Sequence, residues 1–405
     1  MNRKSVYAGL CAALLLAAGA GFEAAAQGKA EGVRPEVGKP LQAANALIKQ
    51  RKGREALAEI AKAEAVPNRT AYENQIIAQM KAAASSSTGD NDGTIRNNMA
   101  LLESGKVSGR EAVPLVQGVA VAYYNKKEYA ESAKWAQRYF REGGSDPAMR
   151  SVLLQSYYLG GDCTAVSKMM AGALEGEKKA SEDELGMLAN CYQRTHDTGG
   201  YVRTIEQLVI HYPKKQYWTD LLSRVQKKPG FSDRLGLDVN RLRLATGNLV
   251  DTNDYFEATQ IALQAGVPAE AKIFMDKGYE VKALGQGKEA DRHARLRALV
   301  EKSIADSQKT RAKDEQEALA AKDGDDLVKL GQNYVYEGKA DKGISLMEQG
   351  IKKGNLRRPD DAKLRLGEAQ IYAGKKSAGV QTLRDVKGAD GTGDMARLWI
   401  LNARA

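Results

Sequence analysis

Small and apolar residues recur three and four positions apart along most of the chain, the period of one face of an α-helix. Ala56, Ile60 and Ala63 form one such stripe; Ala271, Met275 and Gly278 form another. Alternating runs long enough for a sheet are absent, apart from short apolar pieces such as Val119-Ala120-Val121. The pattern predicts an all-α chain whose helices pair across tight turns. Predicted hairpins cover residues 36–65, 70–104, 111–142, 147–175, 181–212 and 252–278. Asp146, Ser181 and Asp251 stand where N-caps are needed, and Pro147 sits at a first helical position, where a missing N–H costs nothing. The small-polar stretch 84–93 reads as a mobile loop, and the mixed-charge stretch 288–322 as one long helix. Two more hairpins follow, and a last helix over 395–403 presents Leu398, Trp399 and Leu401 as a cap.

The helix pairs repeat. Tyr123-Tyr124-Asn125 through Tyr129 aligns with Tyr157-Tyr158-Leu159 through Cys163, 34 residues later. Leu330-Gly331 through Tyr336-Glu337-Gly338-Lys339 aligns with Leu366-Gly367 through Tyr372-Ala373-Gly374-Lys375, at a spacing of 36, and Gly343 then aligns with Gly379. A Leu-Gly pair, an aromatic, a turn glycine and small residues in the second helix resemble the tetratricopeptide repeat. The resemblance covers most of 36–390 and implies an α-solenoid of antiparallel helical hairpins, a TPR-like superhelix. It also implies a protein-binding role and a concave groove. Tyr124, Asn125, Gln155, Tyr158, Gln332, Tyr336 and Tyr372 fall on the face that would line that groove. Tyr123, Tyr157 and Tyr334 take the inter-helix aromatic position.

The first residues read as an address. Arg3 and Lys4 precede an apolar run from about Val6 to Ala20, and Ala24-Ala25-Ala26 with Gln27 completes a secretory cleavage pattern. The expected organisation is a signal peptide over 1–26, cleaved between Ala26 and Gln27, and a flexible leader over 27–35. An N-terminal solenoid over 36–284, a charged helix or linker over 285–322 and C-terminal hairpins over 323–405 follow, with a break near Gly285 and Gly287. Export to a bacterial periplasm is the expected destination. The net charge of +10 is interleaved with acids, which fits a solvated helix face, an acidic partner or an anionic membrane surface, and not nucleic acid.

Catalytic chemistry finds little to work with. None of His196, His211 and His293 has a nucleophile at a recognisable spacing, and no phosphate-binding or zinc-protease motif occurs. Asp90-Asn91-Asp92-Gly93 lacks the acids that a calcium loop needs at its ends, with Thr88 and Met99 in those places. Neither a metal nor a cofactor is expected, and no enzyme. Cys163 would open the second helix of one hairpin and Cys191 would lie late in the first helix of the next, so a disulfide is expected in an oxidising compartment; two buried thiols are the alternative. The expected function is a periplasmic scaffold holding a peptide or helix of another envelope protein. The alternatives are a structural component of an envelope assembly or of a TonB-linked transport machine, and, behind both, an enzyme with an unrecognised site.

Overall fold

The computed structural model describes residues 32–175 and 179–404. Among them are twenty α-helices and no strand. The predicted signal segment, with its Ala26 and Gln27 cleavage point, and residues 27–31 lie outside the described residues. The chain divides into two compact units. Unit 1 takes the described residues up to 179 and 190–196; unit 2 takes 180–189 and 197 onward.

Unit 1 contains α1 (Pro35–Lys49), α2 (Gly53–Glu64), α3 (Ala71–Ser86), α4 (Asn91–Glu103), α5 (Val113–Asn125), α6 (Tyr129–Arg141), α7 (Pro147–Gly160) and α8 (Cys163–Leu174), and shares α9 (Glu182–Arg194) with unit 2. Each helix from α1 to α8 packs on the next, and α1, α3, α5 and α7 also pack in series, so the odd-numbered helices form one layer. This is hairpin stacking, in which each pair buries its apolar stripe on its neighbours. Ala56, Ala63, Ala82, Ala84, Ala120 and Ala136 are fully buried, so backbones approach closely at the helix crossings.

The helix starts are set by side chains. Asp90, Asp146 and Asp162 accept hydrogen bonds from first-turn N–H groups, and Thr70 forms a capping box with Glu73. Each cap is worth about 1 kcal/mol. Two expectations change here. The leader is not loose at its end: the Arg34 N–H and guanidinium bond Glu73 at 2.9–3.0 Å, and Val33 packs on the core beside α1. Those bonds, with one from the Thr70 N–H, lower the Glu73 carboxyl to about 2. The stretch 84–93 narrows to a four-residue turn, 87–90, between α3 and α4. Helix α3 runs through Ser86 with Ala84 and Ser85 buried, because small side chains are what fit against Gly53 of α2.

Unit 2 contains α10 (Thr198–His211), α11 (Lys215–Gln226), α12 (Gly236–Ala245), α13 (Thr252–Gln264), α14 (Pro268–Glu280), α15 (Ala290–Ala320), α16 (Asp325–Tyr336), α17 (Ala340–Lys353), α18 (Pro359–Tyr372), α19 (Lys376–Arg384) and α20 (Thr392–Arg404). Consecutive helices pair from α12 to α20, and α14, α16, α18 and α20 pack in series. Hairpin stacking therefore holds here too, with one addition: α20 packs back on α10 and α12, so the row of helices closes on itself. Polar bonds fasten the closure. Lys228 Nζ reaches Asp394 at 2.9 Å, Arg397 pairs with Glu206, and the Ser232 N–H donates to Asp390 O at 2.9 Å.

The break expected near Gly285 and Gly287 is not where the units divide. Leu284 is buried, and α15 packs on α13, α14 and α16, so this region is continuous within unit 2. The division falls inside α9 instead. No helix among the described residues is long and apolar enough to cross a membrane.

Candidate functional site

Four of the seven groove residues belong to unit 1. Helices α5 and α7 lie side by side in the odd-numbered layer. Gln117, Val121 and Tyr124 follow one another at helical spacing on α5, and Ser151, Gln155 and Tyr158 do so on α7; all six are at least partly exposed. The Tyr124 hydroxyl donates to Gln155 Oε1, and the Tyr124 ring meets Tyr129 edge-on at 5.8 Å. Burial, followed by the neighbouring Tyr129, raises the Tyr124 phenol above its ordinary value. Asn125 is exposed at the helix end and bonds Asn91 at 3.3 Å. Tyr158 is half-buried and Leu159 is 47% exposed. Helix α5 has no charged residue and α7 has only Arg150, in a chain that is 28% charged. The structure thus brings Tyr124, Gln155 and Tyr158 together on an aromatic and amide surface, with the Asp146 carboxylate at its edge accepting from the Gln117 amide at 3.2 Å.

The other three belong to unit 2, and one of them is not available. Gln332 is only 4% exposed and offers a partner no surface, because the inward side of α16 is covered within the unit. Tyr336 is half-buried and meets the 53% exposed Tyr372 edge-on at 5.1 Å. Tyr334 is buried in the core, as the inter-helix position requires, whereas Tyr123 and Tyr157 are only half-buried.

The same unit holds a buried charge cluster that sequence reasoning missed. Arg241 of α12 bonds Asp238 at 2.6 Å, Glu270 of α14 at 2.6 and 2.7 Å, and Glu368 of α18 at 3.1 Å. All four side chains are at most 4% exposed. The guanidinium lies 5.9 Å from the Tyr336 ring, and Arg365 approaches Asp238 at 3.5 Å. Burial and the surrounding carboxylates push the Tyr336 phenol well up. Beside the cluster, Arg234 clamps Asp361 and Asp390, and the Thr392 hydroxyl helps lower the Asp390 carboxyl to about 2. A buried pair of this kind adds little net stability, yet deleting one member costs about 3–5 kcal/mol. The cluster therefore specifies which helices meet. Its sequence signal is faint: Glu368 occupies the repeat position that Gln332 holds 36 residues earlier, next to the Leu-Gly pair.

Cys163 and Cys191 are bridged, with Cα atoms 5.1 Å apart, linking α8 to the second half of α9 within unit 1. His293 is buried and accepts a hydrogen bond from the Gly285 N–H at 3.0 Å, which makes it an anchor for the turn before α15. Among the described residues, no group of three or more His, Cys, Asp or Glu is arranged to hold a metal ion. A cleft of about 280 Å³ in unit 1 lies between α3 and α4, lined in part by Glu64, Arg69, Lys81 and Lys106, away from the α5–α7 stripes. On α15 the basic residues are matched by acids one turn away, as in Arg297–Glu301 and Lys309–Asp306, so this surface is a balanced, solvated face.

No protein-family model matches the chain, and no curated protein matches it in sequence. Among solved structures it is similar to yeast Tom70, at 11% identity and a TM-score of 0.26, over 91% of this chain and 95% of that one.

Proposed function

We propose that the protein is a non-catalytic binding scaffold that holds an uncharged peptide segment of another protein on the α5–α7 face of unit 1. One observation carries this reading: the stripe of Gln117, Val121 and Tyr124 beside Ser151, Gln155 and Tyr158, six side chains with no charge of their own and only Asp146 bonded at their edge, in a chain otherwise dense in charges. Tyr and Gln combine apolar area with hydrogen-bonding capacity, the mix found at interface centres. The Tyr124–Gln155 bond fixes both side chains beforehand, so less rotamer entropy is lost on binding. Neighbour-on-neighbour helix packing keeps the two stripes at a constant separation, which suits an extended or helical segment.

The periplasm is the proposed location and an envelope protein the proposed partner class. The signal-like first segment supports this, and so does the Cys163–Cys191 bridge, since disulfides persist in oxidising compartments. The test is capture from envelope fractions with the wild type and with Tyr124→Ala combined with Tyr158→Ala. The expected result is a specific protein retained by the wild type and lost from the double variant, with Kd weakened by about thirtyfold or more, as for central aromatic anchors. Retention unchanged by the double substitution overturns the α5–α7 assignment.

A further inference from the structure

We propose that Glu368 carries a proton inside the buried charge cluster, and that this proton is what allows α18 to close against α12 inside unit 2. The inference is independent of the binding surface in unit 1.

The geometry leads to it. Both carboxylates lean on one nitrogen, Arg241 Nη1, at 2.6 and 3.1 Å, while the rest of the guanidinium is taken by Glu270. Their engaged oxygens are thus held within a few ångströms of each other. Their other oxygens, Asp238 Oδ2 and Glu368 Oε1, are buried and have no hydrogen-bond partner. Two carboxylates crowded on one nitrogen repel when both are ionised. A proton on Glu368 removes one of those two like charges and leaves its orphaned oxygen in the neutral form that is cheaper to bury.

The charges around the pair lead to the same conclusion. Helix α12 contributes Asp238 and Arg241, α14 contributes Glu270, and α16 contributes the Tyr336 phenol. On α18 itself, Arg365 is 30% exposed, though its Nε is buried without a hydrogen-bond partner 3.5 Å from Asp238, and Asp361 is held by Arg234. Glu348 of α17 is engaged with Gln370, and on α20 Asp394 and Arg397 pair with Lys228 and Glu206. Three buried carboxylates therefore face one buried guanidinium and one half-solvated one. A buried carboxyl crowded by like charge in this way takes up a proton. Burial, and then the charge of Asp238, push the Glu368 carboxyl well above its ordinary value. The repeat supplies an internal precedent: at the equivalent position 332 the chain places glutamine, the neutral isostere, equally buried.

The sign follows. A carboxyl raised by folding adds stability that is complete below its ordinary value and disappears as pH climbs through the raised one. Unit 2 should loosen on the alkaline side, through separation of α12 and α18. The test uses the described protein and Glu368→Gln, with infrared spectra and melting curves across neutral to alkaline pH. The wild type at neutral pH should show the carbonyl band of a protonated carboxylic acid, shifted by 13C-carboxyl labelling of glutamate and missing from Glu368→Gln. The wild-type Tm should fall with rising pH by several degrees more than that of Glu368→Gln. Absence of the band, a band that ignores glutamate labelling, or parallel melting curves overturns the proposal. The labelled wild type is itself folded, so that readout decides the matter even if the variant does not fold.

Discussion

At Gly331 and Gly343 two helix backbones touch. A Cβ on Gly343 would stand 2.4 Å from Gly331 O, and one on Gly331 would stand 2.5 Å from Gly343 O. The next hairpin repeats the arrangement, with a Cβ on Gly379 falling 2.8 Å from Gly367 O. These glycines are needed for what they lack, and their lower helix propensity, about 0.5–1 kcal/mol each, is outweighed by close packing. Gly343→Ala should therefore destabilise the protein by about 1–3 kcal/mol despite the better helix former, seen as a lower urea midpoint at an unchanged slope. Gly186 of α9 is the control, since a Cβ there meets nothing within 4 Å, and Gly186→Ala should gain a few tenths of a kcal/mol. A midpoint unmoved by Gly343→Ala would mean that the backbones are not in contact. Residues of this kind were legible beforehand, because a Leu-Gly pair recurring at a fixed spacing marks a close approach. Arg241 was not. Nothing in a single sequence tells a charged residue on a helical stripe that it will face three carboxylates drawn from three helices.

Helix periodicity and caps are local properties, and so the elements were largely readable. Asp146, Ser181 and Asp251 cap the helices they precede, and the mixed-charge stretch is the 31-residue helix α15. The failures at this scale have one cause. The stretch 84–93 and Arg34 were read from composition as mobile, whereas long-range partners, Gly53 and Glu73, order them. The bridge between α8 and α9 has the opposite character, since it acts on the unfolded chain. Closing a loop of 28 residues should contribute about 3–4 kcal/mol on the chain-entropy account. Cys163→Ser should lower the stability of unit 1 by about that much, and a reductant should then have no further effect. Equal urea midpoints for reduced and oxidised wild type would refute this account.

Over the whole molecule, what could be read was stacking, and what could not was closure. Two pairs of neighbouring hairpins signal each other through spacings of 34 and 36 residues. The bonds that shut unit 2 span far more: 127 residues for Arg241 with Glu368, 166 for Lys228 with Asp394, and 191 for Arg397 with Glu206. Such pairings carry no local period, so the sequence predicted an open array. For the candidate site the same division holds. The α5–α7 stripes could be picked out residue by residue, while the burial of Gln332 depends on helices such as α14 and α18 outside its own hairpin.

The return of α20 to α10 and α12 also orders events in time. Emerging N-terminus first, whether from a ribosome or from an export channel, the chain has the helices of unit 1 once α9 is out, whereas unit 2 stays incomplete until residues 392–404 follow. Nascent chains stalled before residue 390 should thus show a protease-resistant first half and a digestible second half. Resistance of both halves at that stall point would show that the closing helix is dispensable. Emergence itself would then act as a timer, with the second half held open to proteases and to chaperones until its closing helix arrives.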